Sequence, residues 1–194
     1  MTQAKPRFTT LDEYAALDTW ELPEGNYELV NGEIIELPTE CDLNVLIAGF
    51  LFSVLLQFTL HYLIRRGTEV FVNSRTVTSR YPDLLVLSEE GAAALDGAKR
   101  SAVRLEMPAP KLAIEVVSPG SDNYSRDYVD KRGEYEMRGI PEYWLIDPVR
   151  SAVIILRLDG KSYQAKEFSN DESIESLTFS GLNLTPQQIL NAGR

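Results

Sequence analysis

Two residue types on which much enzyme chemistry rests are almost missing. Cys41 is the only cysteine and His61 the only histidine among 194 residues. One cysteine excludes an intramolecular disulfide and a cysteine-based zinc site, and it suits a reducing compartment. One histidine excludes His-rich metal clusters and paired-histidine acid–base chemistry, and a Ser-His-Asp triad would have to be built on His61. The opening MTQAKPRFTTLDEY is polar and holds no apolar stretch of secretory type, so the cytoplasm is the expected location. There is no internal repeat and no low-complexity segment. Basic charge is also in deficit, for the net charge is −10. At face value that argues against a nucleic-acid partner. What remains for acid–base or metal chemistry is carboxylate and lysine.

The charge is unevenly spread. Residues 1–60 hold 2 Lys/Arg against 10 Asp/Glu, whereas residues 61–140 hold 12 against 12. Basic clusters stand in that balanced middle at Arg65–Arg66, Lys99–Arg100 and Lys131–Arg132. An apolar content of 44% with 25% charged residues is ordinary for a globular chain. At this length a single domain over 1–194 can bury a real core without disulfides.

YELVNGEIIEL (27–37) gives a hairpin, with Asn31-Gly32 supplying the positive φ angles of a type I′ turn. Asp42 is a candidate N-cap for a helix over 42–66. EVFVNSRTVT (69–78) and YPDLLVLS (81–88) read as strands, followed after a looser stretch by the strand KLAIEVVS (111–118). SRDYVDKRGEYEMR (125–138) reads as a helix with Ser125 as N-cap, stopped at Gly139, although Gly133 inside it costs ~1 kcal/mol relative to Ala. EYWLID (142–147) is a strand, a hairpin turns about Asp159-Gly160, and a short helix follows from Pro186. Short connections make the three central strands an antiparallel meander, and the helix after them can cross over to place EYWLID in the same sheet. The fold class is therefore mixed α/β (α+β), with an N-terminal hairpin and a β-rich C-terminal tail.

Residues 43–64 carry no charged side chain and are long enough to span a bilayer. Against that reading, Gly49, Ser53, Gln57 and His61 recur every fourth residue as a small or polar stripe. Strand-rich sequence flanks the segment on both sides. A core helix, also available to a dimer interface, is the expectation, with no membrane anchor and a structural His61.

Glu115 poses the chemical question. It sits between Ala113-Ile114 and Val116-Val117, where an unpaired charge is costly or has its pKa forced upward. Either a cation meets it, an arginine among the candidates, or the strand is less buried than it reads. Asp83 shares the oddity: it follows Pro82, which marks a strand start or edge, and precedes an apolar run. Two carboxylates on neighbouring strands repel unless a divalent cation or a shared proton resolves them. All-oxygen ligands suit Mg²⁺, Mn²⁺ or Ca²⁺, and the Val116 carbonyl is a further hard oxygen.

Pro82-Asp83 followed by Glu115-Val116-Val117 resembles the PD-(D/E)XK nuclease superfamily. The YELVNGEIIEL hairpin, YPDLLVLS, KLAIEVVSPGS, the helix bearing Lys131 and GIPEYWLIDP, in that order, are similar to the Uma-two family of restriction-endonuclease-like proteins, over roughly residues 9 to 190. The resemblance implies a restriction-endonuclease-like core and a Mg²⁺- or Mn²⁺-dependent DNA nuclease, with Asp83 and Glu115 as metal ligands. It implies a homodimer too, since such nucleases often pair to cut both strands. The motif's terminal lysine is replaced by Val117, and the resemblance transfers its role to Lys131 on the next helix; Lys111, on Glu115's face by period-two counting, is the weaker substitute. Family members often carry a histidine where Asn44 stands here. Glu28 is a further ligand, a group that supports the ligands from behind, or a hairpin-face charge, and Lys131 is alternatively the partner of Asp127 in a surface i, i+4 pair. The rival to a nuclease is a DNA-binding or interaction module of the same fold whose site has decayed at Val117 and Asn44.

Overall fold

The computed structural model describes residues 7–72 and 75–194. Helix α1 (Leu11–Ala15) opens on a capping box in which the Thr10 hydroxyl accepts from the Glu13 amide. Strands β1 (Tyr27–Val30) and β2 (Glu33–Glu36) form the expected hairpin, with Asn31 at φ 54° and Gly32 at φ 81°. Helix α2 (Asp42–Leu55) buries Asn44, Ile47, Ala48, Leu51 and Leu55, a single face at helical spacing. Its N-cap is Cys41, and Asp42 is instead an acidic residue of the first turn.

That helix is shorter than the sequence predicts. Leu60 is extended (φ −74°, ψ 142°), and the chain enters β3 (Ile64–Arg65), whose Ile64 pairs with Val86. A helix continued to residue 66 would forfeit that pairing. Among the described residues no helix is long and apolar enough to cross a membrane.

The segment 69–78 is not one strand either. Strand β4 (Glu69–Phe71) is followed by β5 (Ser79–Arg80), antiparallel to it; residues 73–74 of the expected strand lie outside the described residues. At Tyr81-Pro82-Asp83 the chain changes sheets, as suits a proline that cannot donate to a ladder, and becomes β6 (Leu84–Val86). Helix α3 (Glu89–Ala93) and β7 (Ala102–Val103) lead to β8 (Leu112–Val116). Then α4 (Ser121–Ser125), a π-helical turn (Arg126–Asp130) and α5 (Lys131–Arg138) run on without a break to Gly139 at φ 78°. The helical segment thus starts one turn before the expected Ser125 cap, with Gly120 as its N-cap. Strands β9 (Glu142–Asp147), β10 (Ala152–Asp159) and β11 (Ser162–Phe168), then α6 (Pro186–Leu190), complete the chain.

Two mixed sheets result. The first runs β11-β10-β9-β8-β6-β3 and the second β2-β1-β5-β4-β7. The antiparallel meander is β3-β6-β8, so its first strand is Ile64–Arg65 and not the 69–78 segment, which belongs to the second sheet. Strand β9 lies parallel to β8 through the helical crossover. Leu112, Ile114 and Val116 face the α2 core with Ile47 and Leu51. Ala113 and Val117 face the other way, toward Tyr135 of α5 and Val70 of the second sheet. By alternation Glu115 belongs to this second face, between the sheets.

Candidate active site

Glu115 is buried, and a cation does meet it. Lys131, the first residue of α5 and 1% exposed, places Nζ 2.8 Å from Glu115 Oε1, 3.0 Å from Glu28 Oε1 and 3.4 Å from Asp127 Oδ1. Asp127 lies within a π-helical turn and Lys131 directly follows it, a widening of the helix that recurs at functional sites. Their pairing is buried, which removes the surface-pair reading, and Glu28 is equally buried and no hairpin-face charge. Lys111 is exposed and precedes the start of β8, four residues before Glu115, so the lysine beside Glu115 is Lys131.

The second sheet braces this centre. Glu28 comes from β1 and Arg80 from β5; Arg80 contacts Glu28 Oε2 at 2.8 Å and holds Glu134 of α5 through a two-pronged contact at 2.6 and 2.9 Å. Such bidentate pairs fix geometry as well as charge. The Tyr135 hydroxyl donates to Glu115 Oε1 at 2.8 Å. Arg126 donates to Asp127 Oδ1 at 2.9 Å.

Asp83 stands just before β6, and continuing the β6–β8 register by one residue sets it across from Glu115. Its Oδ2 accepts from the Val116 amide at 2.7 Å. The Val116 carbonyl accepts from Asn44 Nδ2 at 3.2 Å, and Asn44 also donates to Ser118 Oγ at 3.1 Å and Glu40 at 3.3 Å. Asn44 is thus a buried amide that orients the backbone next to Glu115. Asp83 further lines a cleft of about 820 Å³ with Glu36, Glu40, Arg66 and Tyr81.

The carboxylates do not share the charge equally. Burial pushes Glu28 up, but Lys131 and Arg80 overcome it and hold the carboxyl down at about 2. Burial pushes Asp83 up to about 6, against the Val116 amide and Lys131. Glu115 is pushed up to about 8 by burial, with Asp127, Asp83 and Glu28 adding to it and Lys131 opposing. Lys131 is itself raised: burial would lower it, and Glu115, Glu28 and Asp127 more than offset that. It is therefore an ammonium, unsuited to act as a base.

The donor set suits a hard cation. The hydrogen bonds described for Glu115 fall on Oε1 and those for Asp83 on Oδ2, which leaves Glu115 Oε2 and Asp83 Oδ1 as hard donors. A carbonyl has two lone pairs, so Val116 O can serve Asn44 and a metal together. Among the described residues no group of three or more His, Cys, Asp or Glu side chains is arranged to hold a metal. Two carboxylates with a carbonyl fit Mg²⁺ or Mn²⁺, which keep waters as their remaining ligands, better than Ca²⁺.

Of the residues singled out in the sequence, Asp83, Glu115, Val116 and Lys131 lie together. Arg80, Arg126, Glu134 and Tyr135 were not anticipated. Glu134 and Tyr135 were within reach of sequence reasoning, because they follow Lys131 by three and four residues and share its helix face. Arg80 had no local signal, since its partners arrive from a distant hairpin and helix.

A family model described as "Uma2: Putative restriction endonuclease" matches residues 11–187. The fold also superposes on a crystal structure titled as a "putative nuclease belonging to DUF820" from Anabaena variabilis, with a TM-score of 0.67 and 20% identity over 95% of this chain and 99% of that one. At that identity the likeness speaks for the fold alone. No curated protein matches the chain.

Proposed function

The chain belongs to the Uma2 family, and from that premise we propose that it is a divalent-metal-dependent endonuclease that hydrolyses phosphodiester bonds of DNA. The observation that carries the reading is the buried Lys131 ammonium 2.8 Å from Glu115, with Asp83 in register across the sheet. Asp83 Oδ1, Glu115 Oε2 and the Val116 carbonyl would hold Mg²⁺ or Mn²⁺. Bound there, the ion supplies Lewis acidity and lowers the pKa of a water.

The chain's own groups do the rest. Tyr135 pins Glu115 Oε1 and so leaves Oε2 for the ion. The Val116 amide does the same for Asp83 through Oδ2. Arg80 keeps Glu28 ionised, and Glu28 with Glu115 anchors the Lys131 ammonium. The 3.4 Å contact to Asp127 is the longest of Lys131's three, hence the N–H most readily redirected to a water or to phosphate oxygen. Lys131 orients the attacking water and offsets charge on the phosphate; it does not take up a proton.

DNA as substrate and a homodimer belong to the same proposal. Val45, Leu46, Phe58 and Leu60, exposed on α2 and the turn after it, offer an apolar face to a second copy. A monomeric mass by light scattering at micromolar concentration would remove the dimer. Plasmid nicking with Mg²⁺ or Mn²⁺ tests the activity: wild type nicks, while Asp83→Ala and Glu115→Ala do not.

The rival reading, a nucleic-acid-binding module without turnover, draws on the fact that Lys131 already has three carboxylate partners. It predicts DNA binding with no nicking under either metal.

A further inference from the structure

Beside the acidic centre lies a second kind of chemistry. Tyr124 of α4 stacks on Tyr128 of the π turn, with ring centroids 4.2 Å apart and planes 18° from parallel. The lower ring is fixed: the Tyr128 hydroxyl donates to Asp147 Oδ2 at 2.8 Å and accepts from Arg150 at 3.2 Å, and the Arg150 guanidinium lies 5.6 Å from its centroid. The upper ring is 45% exposed, and its hydroxyl has no hydrogen bond among the described residues. One face of Tyr124 is therefore held by a rigid partner and the other is open.

Its position relates it to the site. Tyr128 is bonded to Asp147 at the carboxyl end of β9, which lies parallel to β8, and the Val117 amide donates to Ile146. The stack thus stands at the sheet end that carries Glu115 and Val116, where open α/β sheets receive ligands. Arg126 bridges the two: it follows Tyr124 by two residues and grips Asp127, itself on Lys131.

We propose that Tyr124, backed by Tyr128, is a stacking platform for an unpaired base of a DNA strand held at the Asp83–Glu115–Lys131 centre. The identity of the substrate rests on the nuclease reading above. A stack of aromatic rings offers a π-face to any base, and a base inside an intact duplex cannot reach it. The overall charge supplies the physical motive. At a net charge of −10 the chain is poorly placed to gain affinity by neutralising phosphates, whereas stacking carries no charge penalty. Arg126 and Arg150 are the cations flanking the platform. Two phosphate contacts give a log–log salt slope of about −1.4 on single strands, shallow for a nucleic-acid binder. The preferred substrate is then single-stranded or frayed DNA, not continuous duplex.

The test is fluorescence of an oligonucleotide with a central 2-aminopurine, added single-stranded or as a duplex to wild type, Tyr124→Ala and Tyr124→Phe with Ca²⁺ present to suppress turnover. Wild type and Tyr124→Phe should quench the single strand, and Tyr124→Ala should bind it about tenfold more weakly, with the quench lost. Tyr124 is exposed, so the variant should fold, and unchanged Mn²⁺ binding by calorimetry would confirm an intact centre. Equal binding by Tyr124→Ala, or duplex bound as tightly as single strand, overturns the platform. The two readings separate cleanly. Cleavage of plasmid or of the single strand with Mg²⁺ but no quench leaves the nuclease and removes the platform; quench with neither strand type cleaved and no metal bound keeps the platform and removes the nuclease.

Discussion

Two buried ionic clusters lie on opposite faces of the second sheet, because Ser79 and Arg80 are adjacent in β5 and point opposite ways. On one face Glu69 accepts from the Tyr14 hydroxyl at 2.7 Å and from Ser79 and Arg100, with the Arg100 guanidinium 4.1 Å above the Tyr14 ring. One carboxylate meets one cation, and the surrounding donors complete it. On the other face the Lys131 ammonium serves Glu115, Glu28 and Asp127 at once, with Asp83 close by. The first cluster is closed and fastens α1 to the sheet. The second carries more carboxylate than its cations answer, and burial holds two of its acids far above their ordinary range. Burial alone does not single out a candidate functional carboxylate; an excess of acid over cation, with oxygens left without a described partner, does.

The widest separation between the clusters should be in activity. On the proposed function, Asp83→Ala or Glu115→Ala would remove a ligand of an ion that supplies several kcal/mol of transition-state stabilisation, so nicking should fall about 10³-fold or more. Glu69→Gln should leave nicking per folded molecule unchanged. Equal losses in both would dissolve the comparison.

Stability should separate them next. Lys131→Met leaves Glu115, Glu28 and Asp127 without their shared cation and should cost about 3–5 kcal/mol by urea denaturation. Glu69→Gln strands Arg100 and should cost about 1–3 kcal/mol. Glu115→Gln should cost nothing or stabilise in the presence of chelator, since a neutral amide replaces a carboxyl that burial already holds toward its neutral form, and its oxygen still accepts from Tyr135 and Lys131. A neutral change that stabilises one cluster and weakens the other would sharpen the contrast.

A third separation is with pH, and its sign follows from the shifts. Glu115 lies at about 8 against an ordinary 4.5, and Asp83 at about 6 against 3.8. Between the ordinary and folded values the folded chain keeps a proton that the unfolded chain has released, so stability falls as pH rises through roughly 4 to 8. Glu28, held at about 2, acts the other way and adds stability as pH rises from 2 to 4.5. Denaturation midpoints with chelator should therefore decline from pH 5 to pH 8 in wild type and decline less in Glu115→Gln.

Much of this was legible in the sequence where the signal is local. Asn31-Gly32 set the hairpin turn, Gly139 stopped the helix, and Glu115 inside an apolar strand announced a partner. The long apolar run of 43–64 misled because uniform hydrophobicity hides which face is buried. Val45 and Leu46 are exposed while Ile47 and Ala48 are not. Nor does sequence say to which sheet a strand belongs: 69–78 reads as part of the central meander, yet the break at Pro82 carries the chain from one sheet to the other. Glu142 is the counterexample to the opening clue. It is as buried as Glu115 in a strand equally apolar, but Trp144, Ser176 and Thr178 satisfy it with hydrogen bonds alone. Only tertiary partners distinguish the two.

The central claim is that Glu115 and Asp83 are held in a state that a divalent cation resolves. Its most direct test is calorimetric titration of Mn²⁺ into wild type and Glu115→Gln at pH 7, in two buffers of different ionisation enthalpy. Wild type should bind with release of protons, because Glu115 must ionise to ligate, and that binding should be lost in a Glu115→Gln protein that is still folded. A folded wild type that binds no Mn²⁺, or a Glu115→Gln variant that binds it equally well, would remove the cation from this site.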